Sequence, residues 1–181
     1  MCDRTIEEVH EIVGRFVYEK YHGKDRMVVK VKGLEGIGDP GPFPLYSDVG
    51  NRIGYRYSEP DILLIKEGVV RTVIEIDSIH LKPEAYVGKA IMPIISKKMV
   101  RGDDEVPIAE DVKVVQLVCY HGRPGDELHE MELRLRQISE DISMLFRNTG
   151  RGCSYSLVIP VRKSDDTVEK VLSSYLDDKV W

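Results

Sequence analysis

The chain has 181 residues, of which 42% are hydrophobic and 31% charged, a balance that suits one compact domain spanning 1–181. No run of about eighteen apolar residues occurs, so no membrane span is predicted. The charged N-terminus and three widely spaced cysteines favour a cytoplasmic, reducing location. The net charge of −5 argues against nonspecific coating of nucleic acid, but it allows local basic patches or an acidic site that recruits metal.

The first part of the chain predicts a helix, a strand and a long loop. Thr5 and Glu8 have the spacing of a capping box, and a helical apolar stripe follows until Gly23. Residues 26–33 are typical of a strand. Residues 33–54 are dense in Gly and Pro and predict a long loop within the domain, a feature that is often functional.

The stretch "PDILLIKEGVVRTVIEID" predicts a β-hairpin, because two apolar strands flank a tight turn at Glu67 and Gly68. Pro83 then stands at the first position of a helix, which Pro93 is expected to kink or divide. The acidic segment 101–111 is expected to be a solvated loop.

The remainder of the chain alternates strands with helices. Residues 112–121 form a near-continuous apolar run, typical of a strand buried on both faces. Apolar residues from Leu128 to Leu145 recur at helical spacing, and a strand and a closing helix follow. This order predicts an α/β fold, a single-domain sandwich of the αβββαβ type with a mixed central sheet flanked by helices.

Three carboxylates fall in or beside the hairpin strands, where an unpaired charge is costly. Glu75 and Asp77 share one face of their strand, and the hairpin places Asp61 opposite residue 74 or 75, give or take one. Carboxylates this close repel one another unless a cation compensates. Mg²⁺ suits such a site, with Mn²⁺ as a substitute, because it takes hard oxygen ligands and keeps several waters. The alternative is that all three are solvated strand or turn residues.

The same stretch resembles the sequence motif of the PD-(D/E)XK, or restriction-endonuclease-like, nuclease superfamily. Pro60 and Asp61 match the first half of the motif, and Glu75 matches its acidic position. The predicted order of elements resembles the core of that superfamily over residues 5–161. The resemblance implies a Mg²⁺-dependent deoxyribonuclease with Asp61, Glu75 and Asp77 as metal ligands and DNA as partner. A homodimer is a further expectation for an enzyme that cuts both strands of a duplex.

The chain departs from the motif at Asp77, which stands where the motif has Lys. Lys82 and Lys89 are the candidates to orient the attacking water or to offset phosphate charge. Gly88, next to Lys89, is expected to let its helix approach the sheet. If neither lysine reaches the site, Asp77 would ligate a second ion, or the domain would be a catalytically inactive relative that serves as a nucleic-acid or protein interaction module.

Basic and aromatic residues upstream of Asp61 suit contact with a nucleic-acid backbone and its bases, namely Arg52, Arg56 and Tyr57, with Tyr55 beside them. The first helix offers Glu8 and Glu11 as further acidic ligands, although both lie off its apolar stripe, as solvated residues do. Two other enzyme classes lack support, because the sequence contains neither a Gly-rich phosphate loop that opens a helix nor the motif of a nucleophile triad.

Overall fold

A computed structural model describes residues 5–34, 36–37, 41–47, 56–80, 82–119, 126–148, 150, 152–159, 170 and 172–176. The helices are α1 (Ile6–Tyr21), α2 (Pro83–Ile95) and α3 (Asp126–Asn148), and residues 172–176 are also helical. The strands are β1 (Met27–Val31), β2 (Leu45–Tyr46), β3 (Arg56–Ser58), β4 (Ile62–Lys66), β5 (Val69–Ser78), β6 (Lys98–Arg101), β7 (Asp104–Cys119) and β8 (Ser154–Val158).

The strands form one mixed sheet in the order β1-β4-β5-β7-β6-β2-β3, with β8 also paired to β7. The pairs β1–β4 and β4–β5 are antiparallel, whereas β5–β7 and β7–β8 are parallel. The long β7 pairs with β6 along its first residues and with β8 along its later ones. Helix α2 makes the crossover between the parallel strands β5 and β7, as a parallel connection requires.

The two faces of the sheet bury separate apolar clusters. One face packs against α1, and its cluster includes Val29, Ile62, Leu64, Ile74, Ile76, Val115 and Leu117. The other face packs against α2 and α3, and its cluster includes Leu63, Val73, Ala90, Val114, Ile142, Phe146 and Tyr155. The prediction of an α/β fold with a mixed sheet flanked by helices is therefore confirmed.

Local signals in the sequence account for the first helix and the hairpin. Thr5 and Glu8 form the predicted reciprocal capping box at the start of α1. Gly23, with φ of 78°, follows the C-terminus of that helix. The hairpin turn lies at Glu67 and Gly68, whose φ angles of 52° and 77° are both positive, as a two-residue turn between twisted strands requires. These predictions are confirmed.

The expectation of an acidic loop over 101–111 is wrong. Gly102 and Asp103 make a turn, and the chain then continues as β7, a strand of 16 residues. Two of the acidic side chains are held by cations of adjacent strands. Glu105 is 3.0 Å from Lys98, and Asp111 is 3.0 Å from Arg71. Such cross-strand pairs let a strongly charged segment remain in a sheet.

Two further expectations need correction. Helix α2 is not divided at Pro93, which lies within it, two residues before its end at Ile95. The predicted loop 33–54 contains the short strand β2, while residues 35, 38–40 and 48–54 lie outside the described residues. In the part of the chain that the structure describes, no helix has both the length and the apolar character needed to cross a membrane.

Candidate active site

The hairpin brings Asp61 to the level of Glu75. Ile62, the first residue of β4, pairs with Ile74 of β5, so Asp61 lies beyond the end of that ladder, within one residue of the expected pairing. Asp61 Oδ2 accepts a hydrogen bond of 2.8 Å from the backbone N–H of Ile76. The carboxylate thus supplies an acceptor to β5 where β4 no longer offers one.

Glu75 and Asp77 are buried on the face of β5 that packs against α2. Their exposed fractions are only 1% and 3%, so neither carboxylate is a solvated strand residue. Lys89 of α2 reaches both of them. Its Nζ lies 2.6 Å from Asp77 Oδ1 and 3.4 Å from Glu75 Oε2. One ammonium group therefore serves two buried carboxylates.

The second oxygen of Asp77 is also engaged. Gln116 on β7 donates from Nε2 to Asp77 Oδ2 at 2.7 Å. The hydroxyl of Tyr155 on β8 in turn donates to Gln116 Oε1 at 2.8 Å. Both carboxylate oxygens of Asp77 therefore accept hydrogen bonds from protein donors.

Electrostatics at the site follow from burial and from the crowding of carboxylates. Burial raises the pKa of Glu75 to about 8; Asp61 and Asp77 add to the rise, and Lys89 opposes it. Burial also works against the charge of Lys89, but Glu75 and Asp77 together outweigh it and hold the pKa of Lys89 above its ordinary value. At neutral pH, Lys89 is therefore charged and Glu75 retains a proton.

Asp61 opens onto a cavity of about 620 Å³ beside α1, which is also lined by His10 and Lys32. His10 Nε2 lies 3.9 Å from Asp61 Oδ1. Burial lowers the pKa of His10 and Lys32 lowers it further, while Asp61 works in the opposite direction. The imidazole is therefore neutral at neutral pH, and a nitrogen ligand or proton acceptor stands next to a carboxylate in a solvent-accessible space.

The two acidic residues of α1 that were expected as further ligands have other partners. Glu8 accepts from the backbone of Thr5 at 2.7 Å in the capping box. Glu11 lines the cavity but lies 2.9 Å from Arg15, one turn along the same helix. His10, which stands between them in the sequence, lies beside Asp61 instead.

The two candidate lysines have different surroundings. Lys82 is exposed and caps the N-terminus of α2 without a side-chain hydrogen bond to the helix, whereas Lys89 contacts the buried carboxylates. The expected role of Gly88 is wrong, because a Cβ at that position would meet no atom within 4 Å. The approach of α2 to the sheet therefore does not depend on that glycine.

The proposed nucleic-acid contacts are only partly described. Arg52 and Tyr55 lie outside the described residues. Arg56 and Tyr57 lie on β3 with exposed side chains. Arg56 is 3.0 Å from Glu59, which is also 3.4 Å from Lys32 at the cavity. A line of charged side chains thus connects β3 with the cavity that Asp61 lines.

Sequence reasoning did not identify three residues at this site, namely His10, Gln116 and Tyr155. A signal for two of them was present. His10 is four residues after Ile6 and three before Val13, so it borders the apolar stripe of α1. Gln116 interrupts the apolar run of β7. Nothing in the local sequence marks Tyr155, because its role depends on the pairing of β8 with β7.

The donor set suits a divalent cation held by two carboxylates. Among the described residues, no group of three or more His, Cys, Asp or Glu side chains is arranged as a metal site. Asp77 accepts from Lys89 and Gln116 through its two oxygens, whereas Glu75 contacts Lys89 through Oε2 and Asp61 accepts from Ile76 through Oδ2. Mg²⁺ is often bound by one or two carboxylates, with water and substrate phosphate completing its shell. Asp61 and Glu75 fit that kind of site, and Asp77 stays a predicted third ligand, whose two oxygens here accept from Lys89 and Gln116.

Comparisons of the chain with models of known protein families, with curated proteins and with solved structures gave no significant match.

Proposed function

We propose that the chain is a Mg²⁺-dependent nuclease domain of the restriction-endonuclease-like type that hydrolyses phosphodiester bonds in DNA. The observation that carries the proposal lies at one end of the β4–β5 hairpin, where Asp61 accepts from the backbone of Ile76, the residue after Glu75, and Lys89 contacts Glu75 at 3.4 Å. Asp61 also lines the cavity that is open to solvent. Asp61 and Glu75 come from the stretch that resembles the nuclease motif, and Lys89 supplies from α2 the cation that is missing at the motif's lysine position.

The order and pairing of elements support the same proposal. Without β2, β3 and β6, the chain order is α1, β1, β4, β5, α2, β7, which is the αβββαβ order that the resemblance implies. Strands β1, β4, β5 and β7 are also neighbours in the sheet, in that order. In this arrangement the additions are β2 and β3, between β1 and β4 in the chain, and β6, between α2 and β7. These three strands pair with one another at the other end of the sheet.

In the proposed reaction, Asp61 and Glu75 would hold the ion, with Mn²⁺ as a substitute for Mg²⁺. When bound, Mg²⁺ stabilises charge on a phosphate and makes water a better nucleophile. Glu75 has to release its proton to act as a ligand, so ion binding is favoured at higher pH. Lys89 stays charged and, held by Asp77, would orient the attacking water or offset charge on the phosphate.

Contacts with DNA outside the reacting phosphate are assigned to exposed residues near the cavity. Arg56 and Tyr57 on β3 would contact the backbone and stack on a base, together with Arg52. Because the chain is acidic overall, with a net charge of −5, we expect its affinity for DNA to depend on such local cations and on Mg²⁺. A homodimer is part of the proposal where both strands of a duplex are cut, and sedimentation of the protein with and without duplex DNA tests it.

One observation favours a second candidate function, a catalytically inactive domain of the same fold that binds nucleic acid or protein. The ammonium of Lys89 already contacts Asp77 at 2.6 Å and Glu75 at 3.4 Å, and so places a positive charge beside both carboxyl groups without a metal ion. A site stabilised in this way has less need of a divalent cation.

Calorimetric titration of Mg²⁺ and of Mn²⁺ into the protein separates the two functions. The wild type should bind the ion at pH 8.5 and cleave plasmid or linear DNA, and a variant with Asp61→Asn and Glu75→Gln should do neither. Asp111→Asn, which removes an exposed carboxylate paired with Arg71, is the matched control and should retain both properties. A wild type that binds no ion, even with DNA present, would overturn the nuclease proposal; DNA binding without ion binding would select the inactive module.

A further inference from the structure

A buried chain of hydrogen bonds crosses three strands to reach Lys89. It runs from the hydroxyl of Tyr155 on β8 to Gln116 on β7, then to Asp77 on β5, and ends at the ammonium of Lys89. The three side chains lie on the sheet face that packs against α2 and α3. Gln116 has no exposed surface and Tyr155 exposes only 8%. We call these three residues, Tyr155, Gln116 and Asp77, the relay.

The chemistry of the partners dictates the direction of every hydrogen bond in the relay. A carboxylate only accepts, so Gln116 must turn its NH₂ group toward Asp77 and its carbonyl oxygen toward Tyr155. The Tyr155 hydroxyl must then donate. Burial and the nearby Asp77 raise the pKa of Tyr155, so the hydroxyl keeps its proton. The Asp77 carboxylate therefore determines which way the amide of Gln116 faces, and Tyr155 holds the amide in that orientation by donating to its oxygen.

Burial of a polar side chain such as Gln116 costs free energy, and this cost supports a role for the relay in holding Asp77. An uncharged amide in the centre of a sheet, on a strand that is otherwise apolar, is tolerated only when its hydrogen bonds are made. Gln116 stands beside Glu75 in the strand register, yet its amide donates to Asp77. The amide thus holds the carboxylate that orients Lys89 and leaves Glu75 without this donor.

We propose that Gln116 and Tyr155 are positioning residues, which hold Oδ2 of the Asp77 carboxylate so that its Oδ1 fixes the ammonium of Lys89 at the reacting centre. The catalytic consequence rests on the proposed nuclease function. The positional consequence does not, because it concerns where the Lys89 ammonium sits in the protein without substrate.

The first test measures Lys89 directly. In ¹H–¹⁵N spectra of lysine ammonium groups, the signal of Lys89 is identified by its absence in Lys89→Met. Tyr155→Phe, which removes one hydroxyl, should shift or broaden that signal, and Gln116→Leu should have a larger effect. Tyr46→Phe removes the hydroxyl of another buried tyrosine, on β2, and should leave the signal unchanged. A Lys89 signal that is the same in the wild type and in Tyr155→Phe would overturn the proposal, and this comparison stands even if Gln116→Leu fails to fold.

The second test uses cleavage of DNA and a double-mutant cycle. Tyr155→Phe should lower kcat roughly tenfold with little change in KM, as loss of an outer hydrogen bond to an active-site group commonly does. In an Asp77→Asn background the same substitution should cost almost nothing further, because the relay acts through Asp77. Additive losses would indicate a merely structural effect and overturn the relay. If the wild type does not cleave DNA, the proposed function fails, while the Lys89 spectra still decide the relay.

Discussion

Lys89 and Asp77 lie on different elements, α2 and β5, yet the Lys89 ammonium nitrogen is only 2.6 Å from Asp77 Oδ1. The strand position at which a nuclease motif would have lysine holds a carboxylate instead, and that carboxylate binds a lysine from the following helix. The pair therefore places a cation at the site even though residue 77 is acidic.

Replacing Lys89 by Met should destabilise the fold. The substitution leaves the buried Asp77 without the ammonium that lies 2.6 Å from it, and removal of one partner of a buried ion pair commonly costs about 3–5 kcal/mol. Because the Lys89 side chain is 35% exposed, we expect a smaller loss of about 2 kcal/mol in the free energy of unfolding. Urea denaturation measures it, and cleavage of DNA should fall roughly 10²–10³-fold.

The matched control is Lys82→Met at the start of the same helix. Lys82 is exposed, so the substitution should change stability by less than about 0.5 kcal/mol and leave cleavage near the level of the wild type. Equal losses of stability and of cleavage in Lys89→Met and Lys82→Met would show that the contacts of Lys89 with the carboxylates contribute to neither property.

Asp61 has a structural role that can be separated from its charge. Asp61→Ala leaves the N–H of Ile76 without its acceptor, which should cost about 1–3 kcal/mol of unfolding free energy. Asp61→Asn retains an acceptor oxygen, so it should cost less than about 1 kcal/mol. Both variants should lose Mg²⁺ binding in calorimetry. Identical stabilities for the two variants would mean that the hydrogen bond to Ile76 does not support the strand.

The parts of the site that depend on local geometry are predictable from the sequence. Alternation along a strand places Glu75 and Asp77 on one face, and the turn at Glu67 and Gly68 sets the position of Asp61 to within one residue. Both follow from the period of a strand and from the length of a turn. No contact between distant elements is needed to infer them.

The other features of the site and the fold depend on how elements that are distant in the sequence pack together. The choice of Lys89 over Lys82 depends on how α2 lies across the sheet, which helical spacing alone does not reveal. The roles of Gln116 and Tyr155 depend on the lateral order β5, β7, β8. The later half of β7 follows from its apolar run, but the first half, residues 104–111, is hard to recognise as a strand because it is strongly charged, and the cation partners of Glu105 and Asp111 lie on adjacent strands.

The packing of α1 on β1 should be sensitive to Gly14. A Cβ added there would lie 2.7 Å from Cγ1 of Val31, a β-branched side chain with little freedom to move. Overpacking costs about 1–3 kcal/mol of stability, and the better helix propensity of Ala offsets at most about 1 kcal/mol of that loss. Gly14→Ala should therefore lower the free energy of unfolding by about 1 kcal/mol. A Cβ added at Gly88 in α2 has no atom within 4 Å, so Gly88→Ala should instead raise the free energy of unfolding by about 0.5–1 kcal/mol. Thermal or urea unfolding of the two variants compares them, and a stabilised Gly14→Ala would contradict the close approach.

Glu75 should make the stability of the ion-free protein fall as pH rises. Below about pH 4.5, the ordinary value, the carboxyl is protonated in both the folded and the unfolded chain and has no effect. Between pH 4.5 and about 8 the unfolded chain loses this proton while the folded chain keeps it, so the unfolded state is favoured progressively, by about 1.4 kcal/mol for each pH unit. Above pH 8 both states are ionised and the loss levels off.

Glu75→Gln removes this titration, so its stability relative to the wild type should improve by about 2–4 kcal/mol between pH 5 and pH 9. Urea denaturation in EDTA at several pH values measures the difference. Glu105→Gln, at an exposed carboxylate paired with Lys98, should show no comparable trend. A difference between Glu75→Gln and wild type that is flat with pH would contradict the raised pKa of Glu75. Saturating Mg²⁺ should stabilise the wild type more at pH 9 than at pH 5, because the ion binds the ionised carboxylate, and it should not do so in Glu75→Gln.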